Sequence, residues 1–274
     1  MLAKVARLLG PSLLRRVPQR RWYTTLQMVL AQAPERLKLQ QGVLSMWGSL
    51  ANLAANGFAP RTVIDVGAWI GDWTEHAHPI LPAADFLMVE ANPLKQEGLQ
   101  AVAARLGSRV RLRMALLGPE ARKEVPFYAM EAGSSVLPED TGFDRNLLAL
   151  PMTTLDEVTG APALQGPVLL KVDVQGYELE VLRGGGKTLA ASEVVLLEVS
   201  LLEYNQGAPL MPDVVAFMNS AGFLPYDVCG QFRRESDAAL CQVDIMFVRR
   251  DSPLRARKPF WKRDPTSTAH RGTT

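Results

Sequence analysis

The fold turns on residues Val168–Gly185, VLLKVDVQGYELEVLRGG, where an apolar run that belongs inside ends in Lys171, Asp173 and Glu178. Val168, Leu169 and Leu170, with Val172 and Val174, read as a parallel strand buried on both faces. Side chains two apart on a strand share a face, so Lys171 and Asp173 point the same way. Gly176 breaks the strand. Leu179, Val181 and Leu182 then follow helical spacing until Gly184 to Gly186 stop the helix. Charge therefore collects where a strand meets a helix, and in open α/β sheets that edge is where ligands bind.

Working outward, residues 35–58 read as helical, ending at Asn56-Gly57. A strand from Thr62 to Gly67 follows, then a helix from near Asp72. A second strand runs from Phe86 to Glu90 and stops at Asn92-Pro93, with helical sequence on to Leu106 and a third strand from Arg109 to Leu117. This alternation predicts a parallel sheet with right-handed crossovers. Residues 118–166 break the rhythm with a short strand (Val125 to Ala129) and a turn at Gly133-Ser134-Ser135. They read as an insertion over the active-site edge. The rhythm returns with the strand at Val168, its helix, a buried strand from Val194 to Val199 and a helix over 212–221. The segments 222–228 and 242–250 leave no room for a crossover helix, so they must pair as an antiparallel hairpin.

DVGAWIGDW, Asp65 to Trp73, sits between a strand and a helix, the setting of a nucleotide-binding turn. It is not G-x-G-x-x-G: Gly67 and Gly71 enclose Trp69 and Ile70, whose bulk would crowd a pyrophosphate. Asp65 before the first glycine suits a cofactor with a positive end, and S-adenosylmethionine carries a sulfonium and an ammonium. Glu90, at the end of the second strand, is placed to accept hydrogen bonds from ribose hydroxyls.

These segments together resemble the FkbM family of S-adenosylmethionine-dependent methyltransferases over about residues 60–250. The matching pieces are VIDVGAWIGDWT, VEANP, MALLG, GSSV, MTTLDEV, LLKVDVQGYELEVLRGG, VLLEVS and GFLPYDV. The resemblance implies a class I, Rossmann-like methyltransferase fold with strand order 3-2-1-4-5-7-6, and methylation of hydroxyls on sugars and natural products. It implies Asp65, Gly67 and Gly71 around the methionine end of the cofactor, Glu90 at the ribose, Ala115 and Leu116 near adenine, and Asn92 as a further cofactor-binding residue. Gln175 stands where many relatives have glutamate. The family does not reach residues 1–35 or 251–274.

The opening question then has a chemical answer. An alcohol is a poor nucleophile until its proton is accepted. Asp173, ending the fourth strand, is the expected general base or hydroxyl-positioning group, with Lys171 orienting it. Glu178, in the first turn of the next helix, is a candidate for binding acceptor hydroxyls. Ser134, Ser135, Tyr177 and Glu198 are candidates for substrate contact. A minority alternative has Asp173 and Glu198 holding Mg²⁺ with the acceptor oxygen as a further ligand.

Composition bounds the rest. The 274 residues are 47% hydrophobic and 21% charged, with a formal charge of +2, as in an ordinary globular protein. That total hides an asymmetry. Residues 1–34 hold six Lys/Arg and no acid, and residues 249–274 hold eight against two, which leaves the body at −10. The chain is expected to have a basic arm (1–35), a folded domain (36–250) and a basic disordered tail (251–274). Residues 1–22 space Leu2, Val5, Leu9 and Leu13 amphipathically among arginines. They suit peripheral contact with the inner face of a membrane, a packed helix or a targeting segment. The compartment expected is the cytoplasm, with Cys229 and Cys241 as reduced thiols. The basic ends also raise a nucleic-acid methyltransferase, which the acidic body and the lack of Asn/Asp-Pro-Pro-Tyr after the fourth strand disfavour. A membrane-associated scaffold without catalysis is the other rival.

Overall fold

The computed structural model describes residues 42–256 except 140, 141 and 162. The arm at 1–35 and residues 257–274 lie outside the described residues. Helix α1 (Met46–Ala55) is N-capped by Ser45, whose hydroxyl accepts from the Gly48 N–H, and it buries Leu50 and Leu53. It lies within the helix read over 35–58; residues 35–41 of that reading lie outside the described residues, and residues 42–45 are not helical. Strand β1 (Thr62–Val66) leads to α2 (Asp72–Ala77), and β2 (Asp85–Glu90) to a 3-10 turn at Pro93–Lys95 and α3 (Gln96–Leu106). Beyond β3 (Val110–Met114) comes the short β4 (Leu116–Leu117), then β5 (Arg122–Ala129), β6 (Asn146–Thr153) and α4 (Leu155–Thr159). Strand β7 (Val168–Val172) is followed by α5 (Glu178–Arg183) and α6 (Gly186–Ala191). Strand β8 (Ser192–Ser200), α7 (Met211–Ser220) and the hairpin β9 (Phe223–Arg233) and β10 (Leu240–Arg249) complete the domain.

Seven strands form one sheet in the order β3-β2-β1-β7-β8-β10-β9. Pairings are parallel from β3 to β8, while β10 runs antiparallel to both its neighbours. This is the expected 3-2-1-4-5-7-6 order. Strand pleating divides the core between the two faces. Ile64, Leu170 and Leu197 pack on one side with α5 and α7; Val63, Leu169, Leu196 and Met246 pack on the other with α1 and α3. Asp65, Lys171, Glu198 and Asp244 continue the alternation on this second face, and register aligns Asp65 with Lys171 and Glu198 with Asp244. The sheet thus gathers its charge on one face near the ends of four neighbouring strands.

Three expectations need correction. The strand read as continuous from Arg109 to Leu117 breaks at Ala115, whose N–H turns to the Glu90 carbonyl (2.8 Å), and Leu116–Leu117 pairs with β6 instead. The insertion carries a second sheet, β4-β6-β5, rather than one short strand. The tail does not leave the domain at Asp251: Leu254 is buried, and Arg255 donates to the carbonyls of Leu224 (2.7 Å) and Pro225 (2.6 Å). Cys229 and Cys241 are both buried.

Candidate active site

Two cavities meet at the end of β1. The first, about 200 Å³, is lined by Gly67, Trp69, Glu90, Asn92, Ala115, Leu116, Ser134, Ser135, Asp173, Gln175 and Tyr177, among others. The second, about 130 Å³, is lined by Met46, Trp73, Lys171, Leu196, Glu198, Asp244 and Asp72. Gly67, Trp69 and Asp173 belong to both.

The turn between them is built by backbone. The N–H groups of Gly67 (2.9 Å) and Ala68 (3.1 Å) donate to the Val89 carbonyl, which ties the turn to β2. Gly67 has φ +75°, and a Cβ there would lie 1.8 Å from the Asp173 carbonyl oxygen. Glycine is required at this position by both conformation and contact. Trp69 also takes a positive φ (51°); the residue is 40% exposed and lines both cavities, and its indole N–H donates to the Glu131 carbonyl (2.5 Å). Glu90 is buried, accepting from the N–H groups of Trp69 (2.8 Å) and Asn92 (2.7 Å). Burial pushes its carboxyl above the ordinary value, against the pull of those two donors. A carboxylate offers about four lone-pair directions, so Glu90 retains acceptors for ligand hydroxyls.

Lys171, 5% exposed, lies below the turn. Its ammonium is 3.0 Å from Asp65 and 3.6 Å from Asp173, and it donates to the Gly67 carbonyl at 2.9 Å. Burial opposes its charge, but Asp65 and Asp173 outweigh burial and hold its pKa above the ordinary value. Gln175, at φ +56°, donates from one amide nitrogen to Asp173 (2.9 Å) and to Glu198 (2.8 Å), and Glu198 also accepts from Gln242 (3.0 Å). Burial, then Asp173, Glu178 and Asp244, push Glu198 well above its ordinary value.

Several residues expected to meet ligands do other work. Asp65 is fully buried and lines neither cavity; Lys171 and the Thr74 hydroxyl (2.7 Å) take its oxygens, so it braces the turn from beneath. Gly71 also lies off the cavities, its missing side chain leaving room for Leu99 and Val102. Glu178 is buried, and one of its oxygens accepts from the N–H groups of Val174 (2.9 Å) and Gly176 (3.1 Å). It pins the turn after β7 rather than reaching an acceptor. Ser134, Ser135 and Tyr177 line the first cavity and not the second. The Ser134 hydroxyl closes on Met130, and the Ser135 hydroxyl donates to the Gln175 carbonyl (2.8 Å). The Asp173–Glu198 pair suggested for Mg²⁺ is bridged by an amide donor with an ammonium beside it, a poor fit to a divalent ion unless Gln175 swings away. Among the described residues no group of three or more His, Cys, Asp or Glu is arranged for a metal ion.

Asp244 was missed from sequence. The available signal was a single acid inside the apolar run QVDIMFV, but only strand order shows that this residue faces Glu198.

Burial pushes Glu178 up to about 7 from its ordinary 4.5. An acid held above its unfolded value makes the unfolded chain release its proton first, so stability falls as pH rises. We expect Glu178→Gln to flatten the decline in unfolding free energy between pH 4.5 and about 7, measured by urea denaturation. The same slope in variant and wild type would show that Glu178 is not the titrating group.

A parallel sheet with a reversed terminal hairpin, and a glycine turn beside an acid-ended second strand, define a class I, Rossmann-like methyltransferase fold. The model of the methyltransferase FkbM domain matches residues 65–225. The chain belongs to the FkbM methyltransferase family. Among solved structures, a methyltransferase FkbM from Methylobacillus flagellatus KT aligns at 15% identity and TM-score 0.45, covering 68% of this chain and 43% of that one. The chain therefore spans less than half the length of that relative. A 1,6-didemethyltoxoflavin N1-methyltransferase from Burkholderia thailandensis aligns at 13% identity and TM-score 0.40, covering 86% and 92%. An O-methyltransferase family protein from Burkholderia thailandensis aligns at 14% identity and TM-score 0.42, covering 84% and 61%. No curated protein matches. No helix among the described residues is long and apolar enough to cross a membrane.

Proposed function

We propose that the chain is an S-adenosylmethionine-dependent O-methyltransferase that binds its cofactor in the first cavity and an acceptor hydroxyl in the second. The observation that carries this reading is the position of Asp173, which lines both cavities and so stands where donor and acceptor must meet. The first cavity suits the cofactor in its donor set: Glu90 for the ribose hydroxyls, the apolar wall at Ala115 and Leu116 for adenine, and a glycine turn that admits close backbone approach. The cofactor supplies an electrophilic methyl group. The protein's own residues do the rest. Asp173 accepts the acceptor's hydroxyl proton as oxygen attacks in line, while Lys171 and Gln175 fix the direction of its carboxylate. The acceptor class is a hydroxyl of a sugar, glycolipid or natural product, from the family's chemistry. Cofactor binding is the first test. Calorimetric titration should give micromolar affinity for S-adenosylmethionine and S-adenosylhomocysteine. Glu90→Ala should weaken it on the order of a hundredfold, since a charged hydrogen bond contributes roughly 1.5–3 kcal/mol. No heat and no thermal stabilisation with folded wild-type protein would overturn the reading.

A further inference from the structure

The second cavity carries more negative charge than its surroundings compensate. Its wall includes Asp173, Glu198, Asp244 and Asp72, and Lys171 is the basic residue among them. Lys171 is turned toward Asp65 (3.0 Å), Asp173 (3.6 Å) and the carbonyls of Gly67 (2.9 Å) and Val66 (3.5 Å), and among the described residues it makes no hydrogen bond or ion pair with Glu198 or Asp244. Glu198 receives only amide donors, from Gln175 and Gln242. The Asp244 carboxylate has no hydrogen-bond or ion-pair partner among the described residues, although it sits on the strand between β8 and β9. Burial, then Asp173, push it up to about 6. Space for this carboxylate is built in: across the hairpin stands Gly230, where a Cβ would lie 1.8 Å from an Asp244 oxygen. The remaining wall includes two tryptophans, Trp69 and Trp73, whose ring faces attract cations. A purely neutral polyol would leave the Asp244 carboxylate without a counter-charge in a partly desolvated pocket.

We propose that the acceptor carries a protonated amine close to its hydroxyl, the ammonium seated against Asp244 and Glu198 beside Trp69 and Trp73. The acceptor is then an amino alcohol in chemical class, for instance an amino sugar or aminocyclitol unit, with the hydroxyl presented to Asp173 and the ammonium held one strand further along the sheet. This deepens the O-methyltransferase reading and rests on it. Asp244 is a specificity residue in this scheme, because it lines the second cavity alone.

The test uses the full chain saturated with S-adenosylhomocysteine and ligand-observed NMR titration of matched pairs: glucosamine with glucose, 2-aminocyclohexanol with cyclohexane-1,2-diol, and ethanolamine with ethylene glycol. At least one amine should bind tenfold or more tightly than its neutral partner. Asp244→Asn should remove that preference while its affinity for S-adenosylhomocysteine and its melting temperature stay at wild-type values. Three results would overturn the proposal: no amine preferred over its partner, a preference that survives Asp244→Asn, or a loss confined to binding of cationic S-adenosylmethionine. The last would mean that these carboxylates read the sulfonium of the cofactor. Failure of S-adenosylhomocysteine to bind at all would instead strike the O-methyltransferase reading itself.

Discussion

Replacing Lys171 with methionine should lower the unfolding free energy by about 3–5 kcal/mol, because it strands the fully buried Asp65 carboxylate without a counter-charge. Thr74 would remain as the one side-chain donor to Asp65, and a single neutral hydrogen bond does not offset the burial of a charge. The Gly67 carbonyl would lose its donor at the same time, so the cofactor turn should loosen as well. The companion experiment is the double variant Lys171→Met with Asp65→Asn. Removing the carboxylate's charge should recover much of the loss, a non-additivity expected for two groups in direct contact. Urea unfolding of the four proteins of this cycle is the measurement. A Lys171→Met protein that unfolds at the wild-type midpoint would show that the ammonium does not hold the turn.

The second large effect falls on activity. Asp173→Asn should slow methyl transfer by about 10²–10⁴, the range over which a positioned general base contributes. The asparagine is nearly isosteric and can turn its amide oxygen to Gln175, while Lys171 keeps Asp65, so fold and cofactor affinity should survive. The loss should therefore appear in kcat on an acceptor that the wild type methylates, with the melting temperature unchanged. An Asn variant of near wild-type kcat would remove Asp173 from proton transfer and leave it a positioning role.

Lys171 and Asp173 were legible because β7 is buried: in a strand with Leu170 and Val172 pointing to one side, a lysine and an aspartate on the other need a chemical reason. Their true partners were not legible. The sequence reading aimed Asp65 at a cationic cofactor, whereas parallel pairing of β1 with β7 sets Asp65 opposite Lys171 and its charge is neutralised inside the protein. Glu178 was misread in the same manner. A carboxylate in the first turn of a helix looks available for ligand, but the backbone turns back at Gly176 and offers two N–H groups to it. Strand β6 was missed because most of its side chains are half-buried or exposed; pairing with β5 and β4 defines it, not a buried face.

By itself the sequence determined the alternation of strands and helices, the terminal hairpin and the position of the glycine turn, since these rest on local periodicity and on the backbone freedom of Gly67. Only the tertiary structure decided which charges face one another. Inserting β10 between β8 and β9 brings Asp244 beside Glu198 across 46 residues of chain. Gln175 reaches from the β7 turn to join Asp173 and Glu198. Electrostatic energy depends on separation in space and on the polarity of the surroundings, and neither is written in the spacing of residues along the chain.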